Sequence, residues 1–214
     1  MRDRKAERHQ STRAEILAVA WKLAATEGLA GLTLRDIARE VGMRAPSLYS
    51  YFASKHAIYD AMFAQGCQEY LEGHAGLTFT GDPLTDLKIG MRYFVGFCTA
   101  NPVRYQLLYQ RTIPGFEPTP ETFSLSVAGL GKMRDKLAEI GITDPAALDL
   151  LTAIGTGLTD QQISNDPGGD RWTRLVDEAM EMYYAHISDR RRIQDDSHPG
   201  SGRHPRGGGE PAIR

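Results

Sequence analysis

Residues 41–55, VGMRAPSLYSYFASK, gather two tyrosines, three serines, an arginine and a lysine in one short run. Hydroxyls, a guanidinium and an ammonium are groups that donate to phosphate oxygens and to base edges. Their spacing follows a helix. Leu48 and Phe52 are four apart and share one side, while Pro46 and Ser50 fall on the other, flanked by Ser47 and Tyr49. Pro46 lies in the first turn, where a missing N–H costs nothing. The predicted object is a short helix with an apolar back and a small, polar, hydroxyl-bearing front.

Other fragments suggest enzymes and fail on chemistry. AGLGKM (128–133) lacks the first glycine and the final Ser or Thr of a phosphate loop; Ser126 and Met133 occupy those places. GTGLTD (155–160) puts Asp160 where a dinucleotide fingerprint needs its third glycine. Neither follows a strand. The six histidines are scattered, without metal-ligand spacing. Cys67 and Cys98 have no C-x-x-C partner and read as reduced, buried thiols. The reading is therefore of a non-enzyme with no cofactor and no metal.

The elements that must position the hydroxyl-bearing front are helices throughout, and an all-α protein is expected. A capping residue followed by proline recurs at Asp82-Pro83, Asn101-Pro102, Thr119-Pro120 and Asp144-Pro145, each predicting a helix start. The first helix is expected over about 12–27, with Gly28 as its stop. A second opens after Thr33, with Asp36 completing an approximate capping box, and ends near Val41-Gly42. The short helix covers about 45–51, and a fourth runs from after Ser54 to about Glu72. Further helices are expected at about 83–100, 102–109, 120–141, 145–164 and 171–188. Charge is uneven. Residues 1–60 hold ten Lys/Arg against seven Asp/Glu, and residues 61–189 hold nine against seventeen. A basic front on an acidic body suits a polyanion reader attached to another unit. No apolar run is long enough for a membrane span, and the charged start MRDRKAERHQ has no apolar segment behind it. A cytoplasmic protein with no membrane partner is the expectation.

Two helices joined through Gly42 form a helix-turn-helix pattern. The segment GLTLRDIAREVGMRAPSLYSYFASKHAIYDAM (31–62) resembles the TetR family of bacterial transcriptional regulators. The likeness is carried by Thr33 opening helix two, Ala38 and Gly42 around the turn, then Leu48, Tyr49, Tyr51, Phe52 and Lys55. TGLTDQQISNDPGGDRWTRLVDEAMEMYYAH (156–186) resembles the last two helices of a subgroup of these regulators. The resemblance implies an N-terminal helix-turn-helix DNA-binding domain (1–56) and a C-terminal helical domain for effector binding and dimerisation (57–189). Residues 190–214, rich in Gly, Pro and Arg, are expected to be a disordered tail. The implied activity is that of a ligand-responsive repressor. It would bind a palindromic double-stranded DNA operator as a homodimer and be released by a small, largely apolar effector.

The resemblance also implies roles residue by residue. Arg44, Ala45, Pro46, Ser47 and Ser50 would face base edges. Tyr49, Tyr51 and Lys55 would contact phosphates, Thr33 would cap helix two and touch a phosphate, and Arg35 would reach a guanine edge. Arg44 stands where the family often has a capping Ser or Thr; either the cap is made otherwise or Arg44 has a DNA role. Tyr93, Phe94, Phe97, Tyr105, Leu108, Tyr109, Phe116, Phe123 and Met133 are the expected effector pocket, with Arg111 placed either beside it or on the surface. The expected dimer face comprises Leu151, Ile154, Gly155 and Leu158 on one helix, and Trp172, Leu175, Val176, Ala179 and Tyr183 on the next.

Overall fold

The computed structural model describes residues 4–197, with side chains through Arg190. Helices follow one another in the order α1 (Arg4–Gly31), α2 (Leu34–Val41), α3 (Ala45–Leu48), α4 (Lys55–Ala75), α5 (Pro83–Ala100), α6 (Pro102–Tyr109), α7 (Pro120–Glu139), α8 (Pro145–Asn165) and α9 (Val176–Ser197). A 3-10 turn, Thr173–Leu175, precedes α9. The described residues contain no strand.

Each start has a chemical cause. The Asp82, Asn101 and Asp144 side chains accept from the N–H groups of Thr85, Arg104 and Ala146 at 2.9, 3.0 and 3.0 Å, each with proline next in the chain. Ser54 accepts from Ala57 N–H at 3.1 Å and opens α4. Such caps satisfy donors that the first helical turn leaves open. Thr119 caps α7 and donates its hydroxyl to Asp60 of α4, and Thr122 does the same. One carboxylate thus staples the start of α7 to α4.

Two apolar cores are stacked along α4. Ile16, Ala20 and Ala24 of α1 meet Ile37, Leu48, Phe52 and the first half of α4 in one. Met91, Phe94 and Val95 of α5 meet Leu151, Met180 and Tyr183 in the other, together with Tyr70 from the second half of α4. Leu107 and Leu108 of α6 join the first core, so α6 packs against both α1 and α4. Outside the second core, Arg92 holds Asp177 through two nitrogens and Lys88 pairs with Glu181 at 2.5 Å, clamping α5 to α9.

Several boundaries differ from expectation: α3 ends at Leu48 rather than about 51, α4 runs on to Ala75, and α9 starts at Val176 after the 3-10 turn. Helix α1 begins at Arg4, because RKAERHQST contains no breaker and its charged residues are good helix formers. Gly28 breaks α1 with φ 73°, but a further turn follows to Gly31. Helix α9 continues to Ser197, through the first part of the segment expected to be a disordered tail. Arg190 donates to Asp144 at 2.8 Å, anchoring that end to the cap of α8, and no Gly or Pro interrupts the sequence before Pro199. Residues 198–214 of that tail lie outside the described residues.

Candidate functional site

Helix α2 and helix α3 are set at their angle by a turn that only the backbone of Gly42 makes cheaply. Gly42 has φ 78° and donates to Arg39 carbonyl at 3.1 Å, while Met43 N–H reaches Ala38 carbonyl at 2.9 Å. This paired arrangement is the Schellman closure of a helix end. At the other end of α2, Thr33 accepts from Asp36 N–H at 3.1 Å and donates to the Asp36 carboxylate at 2.5 Å. That hydrogen bond, outweighing partial burial and helped by Arg39, holds Asp36 below the usual carboxylate range.

On α3 the apolar and polar sides are cleanly separated. Leu48 and Phe52 are buried; Arg44, Pro46, Ser47, Tyr49 and Ser50 are exposed, and Ala45 is half-buried. Tyr49 is the extreme case, with 57% of its surface open. A tyrosine that open contributes little burial to the fold. Arg44 makes no capping hydrogen bond, and the helix starts without a side-chain cap. Neither Arg44 nor Arg35 forms an ion pair among the described residues, and both are exposed. The α3 backbone is steadied from within: Ser50 Oγ donates to Ser47 carbonyl at 2.7 Å.

The other two expected phosphate-contacting residues are differently placed. Tyr51 is half-buried, its ring stacked on His9 at 4.7 Å between centroids. Lys55 donates to Ala30 carbonyl at 3.2 Å and lies 5.4 Å from the Tyr59 ring, so its ammonium closes the last turn of α1. Two residues that sequence reasoning did not select do the positioning. His9 reaches Ser50 carbonyl at 3.4 Å, and Arg13 donates to Tyr51 carbonyl while its guanidinium covers the Phe52 ring at 4.1 Å. Both stand on the early turns of α1, which also carry Arg4 and Arg8. The charged start RDRKAERHQSTR was the available signal.

In the body, α4, α5, α7 and α8 enclose two adjoining chambers of about 210 and 190 Å³. The larger is apolar and includes Cys67, Phe94, Tyr109, Leu125 and Met133 in its wall. The smaller opens past His74, Asp86, Lys132 and Lys136. Tyr70, Met91, Gly129, Met133 and Leu151 line both. Of the residues expected around a pocket, Phe94, Tyr109 and Met133 are there. The rest are not, each for a packing reason. Tyr105 is buried between helices, and Leu108 packs against α4 where Gly66 leaves room. Phe97 lies under the Arg104 guanidinium at 3.6 Å, and Tyr93 donates to Tyr70 carbonyl at 2.9 Å. Phe116 meets the Tyr59 ring edge-on at 5.5 Å, near the first core. Phe123 and Arg111 face solvent. Burial pushes the thiols of Cys67 and Cys98 up to about 12, so both are inert as nucleophiles.

The expected dimer face also divides. Leu151, Gly155, Val176 and Tyr183 turn inward and are buried in the protomer. A Cβ on Gly155 would stand 2.9 Å from Met91 Sδ, and Tyr183 donates its hydroxyl to Ala147 carbonyl at 2.9 Å. Ile154, Leu158, Trp172, Leu175 and Ala179 are half-buried. The outward stripe of α8 is Leu150, Ala153, Ile154, Gly157 and Leu158, with open space over Gly157; Met182 on α9 is 69% exposed.

Residues 16–62 match the family model described as "Bacterial regulatory proteins, tetR family". A 130-residue stretch is 28% identical to the HTH-type transcriptional regulator Rv1816 of Mycobacterium tuberculosis, covering 56% of each chain. The alignment thus spans little more than half the length of the curated relative. In overall fold, the chain superposes on the TetR family transcriptional regulator PfmR from Thermus thermophilus (TM-score 0.59, 18% identity, 78% of this chain and 96% of that one). It also superposes on a bacterial regulatory protein in the tetR family from Rhodococcus RHA1 (TM-score 0.60, 19% identity, 80% and 96%). No described helix is long and apolar enough to cross a membrane.

Proposed function

By its N-terminal helices this chain is a member of the TetR family of bacterial regulatory proteins, and from that premise we propose that it is a DNA-binding transcriptional repressor, bound to a palindromic operator as a homodimer and released by a small molecule. Residues 1–56 form the reading unit and residues 57–189 the effector-binding and dimerisation unit. The observation that carries the reading is the exposed face of α3. Tyr49, Arg44, Ser47 and Pro46 stand in solvent over a fully buried Leu48, at an angle locked by the Gly42 turn. In the complex, Arg44 and Arg35 reach guanine edges, a grip worth about 1–3 kcal/mol of discrimination per good pair. Ala45, Pro46, Ser47 and Ser50 are too small for many hydrogen bonds and read methyl groups and shape. Thr33, Tyr49 and Tyr51 hold phosphates, Tyr51 being braced by His9. Lys55 joins them only if it leaves Ala30, and otherwise acts by holding the end of α1.

Helix α4 supplies the coupling. Its first turns support the reading unit and its later turns wall both chambers, so a ligand that fills them bears on the same rod that sets the reader. The effect is limited by the ligand's difference in affinity for the two arrangements. The test is selection of duplexes from a randomised pool, followed by titration of the chosen site. Tyr49→Phe should weaken all sequences about equally, whereas Arg44→Ala should relax preference at one base pair in each half-site. A protein that selects no duplex, or a base-specific loss from Tyr49→Phe, refutes these assignments.

A further inference from the structure

Around the smaller chamber the charges are unequally satisfied. Asp86 is buried and accepts from Thr80 N–H at 2.7 Å, Thr80 Oγ1 at 2.9 Å and Gly81 N–H at 3.2 Å. Lys136 pairs with Glu139 at 2.9 Å and lies 5.0 Å from the Phe79 ring. Lys132 is exposed at the same opening and has no hydrogen bond or ion pair among the described residues. Behind it the walls turn apolar through Met133 and Gly129, which face both chambers. Two flexible thioethers, Met91 and Met133, stand between the polar and apolar spaces and can swing to join them.

We propose that the effector is an amphipathic monocarboxylate, its apolar chain in the larger, apolar chamber and its carboxylate on Lys132 at the opening of the smaller one. The inference rests on the effector-chamber reading above and names the ligand class for it. A cation is disfavoured, because the two carboxylates at the mouth already have their donors. A dianion is disfavoured because, among the described residues, one lysine is unpaired and the other is neutralised by Glu139. His74 lines the same opening. Burial, then Lys132 and Lys136, hold its imidazole below the ordinary histidine range. An arriving carboxylate compensates Lys132, and a charge-assisted hydrogen bond of this kind is roughly twice as strong as a neutral one.

The experiment is calorimetric titration of the full chain with decanoate, decanol, decyltrimethylammonium and decyl phosphate, below their micelle-forming concentrations. Operator binding is followed in parallel. Decanoate should bind about two- to fivefold more tightly than decanol, the scale of an ion pair on an exposed lysine. Lys132→Gln should remove that advantage and Lys132→Arg should retain it, with decanol unaffected by either. Ser126→Leu, which intrudes on the larger, apolar chamber, should weaken decanoate and decanol alike. Equal affinity for decanoate and decanol, or no effect of Lys132→Gln, overturns the carboxylate site while leaving the chamber reading in place. No binding of any amphiphile by a protein that still binds its operator also overturns the proposal. Failure to bind any duplex refutes instead the functional reading on which it rests.

Discussion

Met182 and Tyr183 are neighbours in sequence and opposites in structure, which makes them a sharp test of how two copies would pair. Met182 is 69% exposed, whereas Tyr183 is buried and hydrogen-bonded to α8. If the outward stripes of α8 and α9 form a two-fold interface, Met182 is buried on association, and each substitution acts twice. Full burial of a methionine is worth about 1.5–3 kcal/mol. With roughly two-thirds of it still open in the protomer, Met182→Lys should cost the dimer ~2–4 kcal/mol. That corresponds to roughly thirty- to several-hundred-fold in the dissociation constant. The protomer itself should lose no more than about 0.5 kcal/mol, as expected of an exposed position. Tyr183→Phe should do the reverse, removing about 1 kcal/mol of protomer stability and leaving association nearly unchanged. Sedimentation equilibrium across a concentration series gives the dimer constant. Urea unfolding of the Tyr183→Phe protein, compared at matched occupancy, gives the protomer term. A Met182→Lys protein that dimerises like the parent would show that this face is not the interface, and the symmetry argument for a palindromic operator would lose its basis.

Two further outcomes follow from local geometry. Gly42→Val should lower stability by about 1–2 kcal/mol, since φ 78° is strained for any side chain and worse for a branched one; operator affinity should fall with it, and unchanged affinity would mean that the reader angle is not set by this turn. Asp86 feels burial, which raises its pKa, but hydrogen bonds from Thr80 and Gly81 outweigh it and hold the group low. Its contribution is therefore present above the ordinary carboxylate range and lost as pH falls through the depressed value. The parent should lose more stability on acidification than Asp86→Asn, measured by urea unfolding at a series of pH values; parallel losses would refute the assignment.

The caps explain why so much of the fold was legible. A residue such as Asp82 or Asn101 acts on N–H groups two or three positions away, so the information is local and a single pass along the chain recovers it. The front and back of α3 were legible for the same reason, because a helix repeats every 3.6 residues and Leu48 and Phe52 must share a side. The pocket was less so. Of ten residues named from their apolar or aromatic character or their charge, three line a chamber. Composition distinguishes a wall from a core no better than it distinguishes Tyr109 from Tyr105.

What the chain determined by itself is therefore the set of helices, the Gly42 turn and the chemical character of the reading face, all set by contacts within a few residues. Only the tertiary structure decided which side of α8 and α9 points inward. Both sides of α8 are apolar or small, and the choice fell to Met91 and Phe94 of α5 fitting against Gly155 from far along the chain. The same long-range packing placed His9 and Arg13 under α3, drew Lys55 to Ala30, and gave Lys136 to Glu139 while leaving Lys132 without a partner among the described residues. Periodicity fixes which residues share a face. It carries no information about what that face will meet, because that depends on distant groups that only folding brings near.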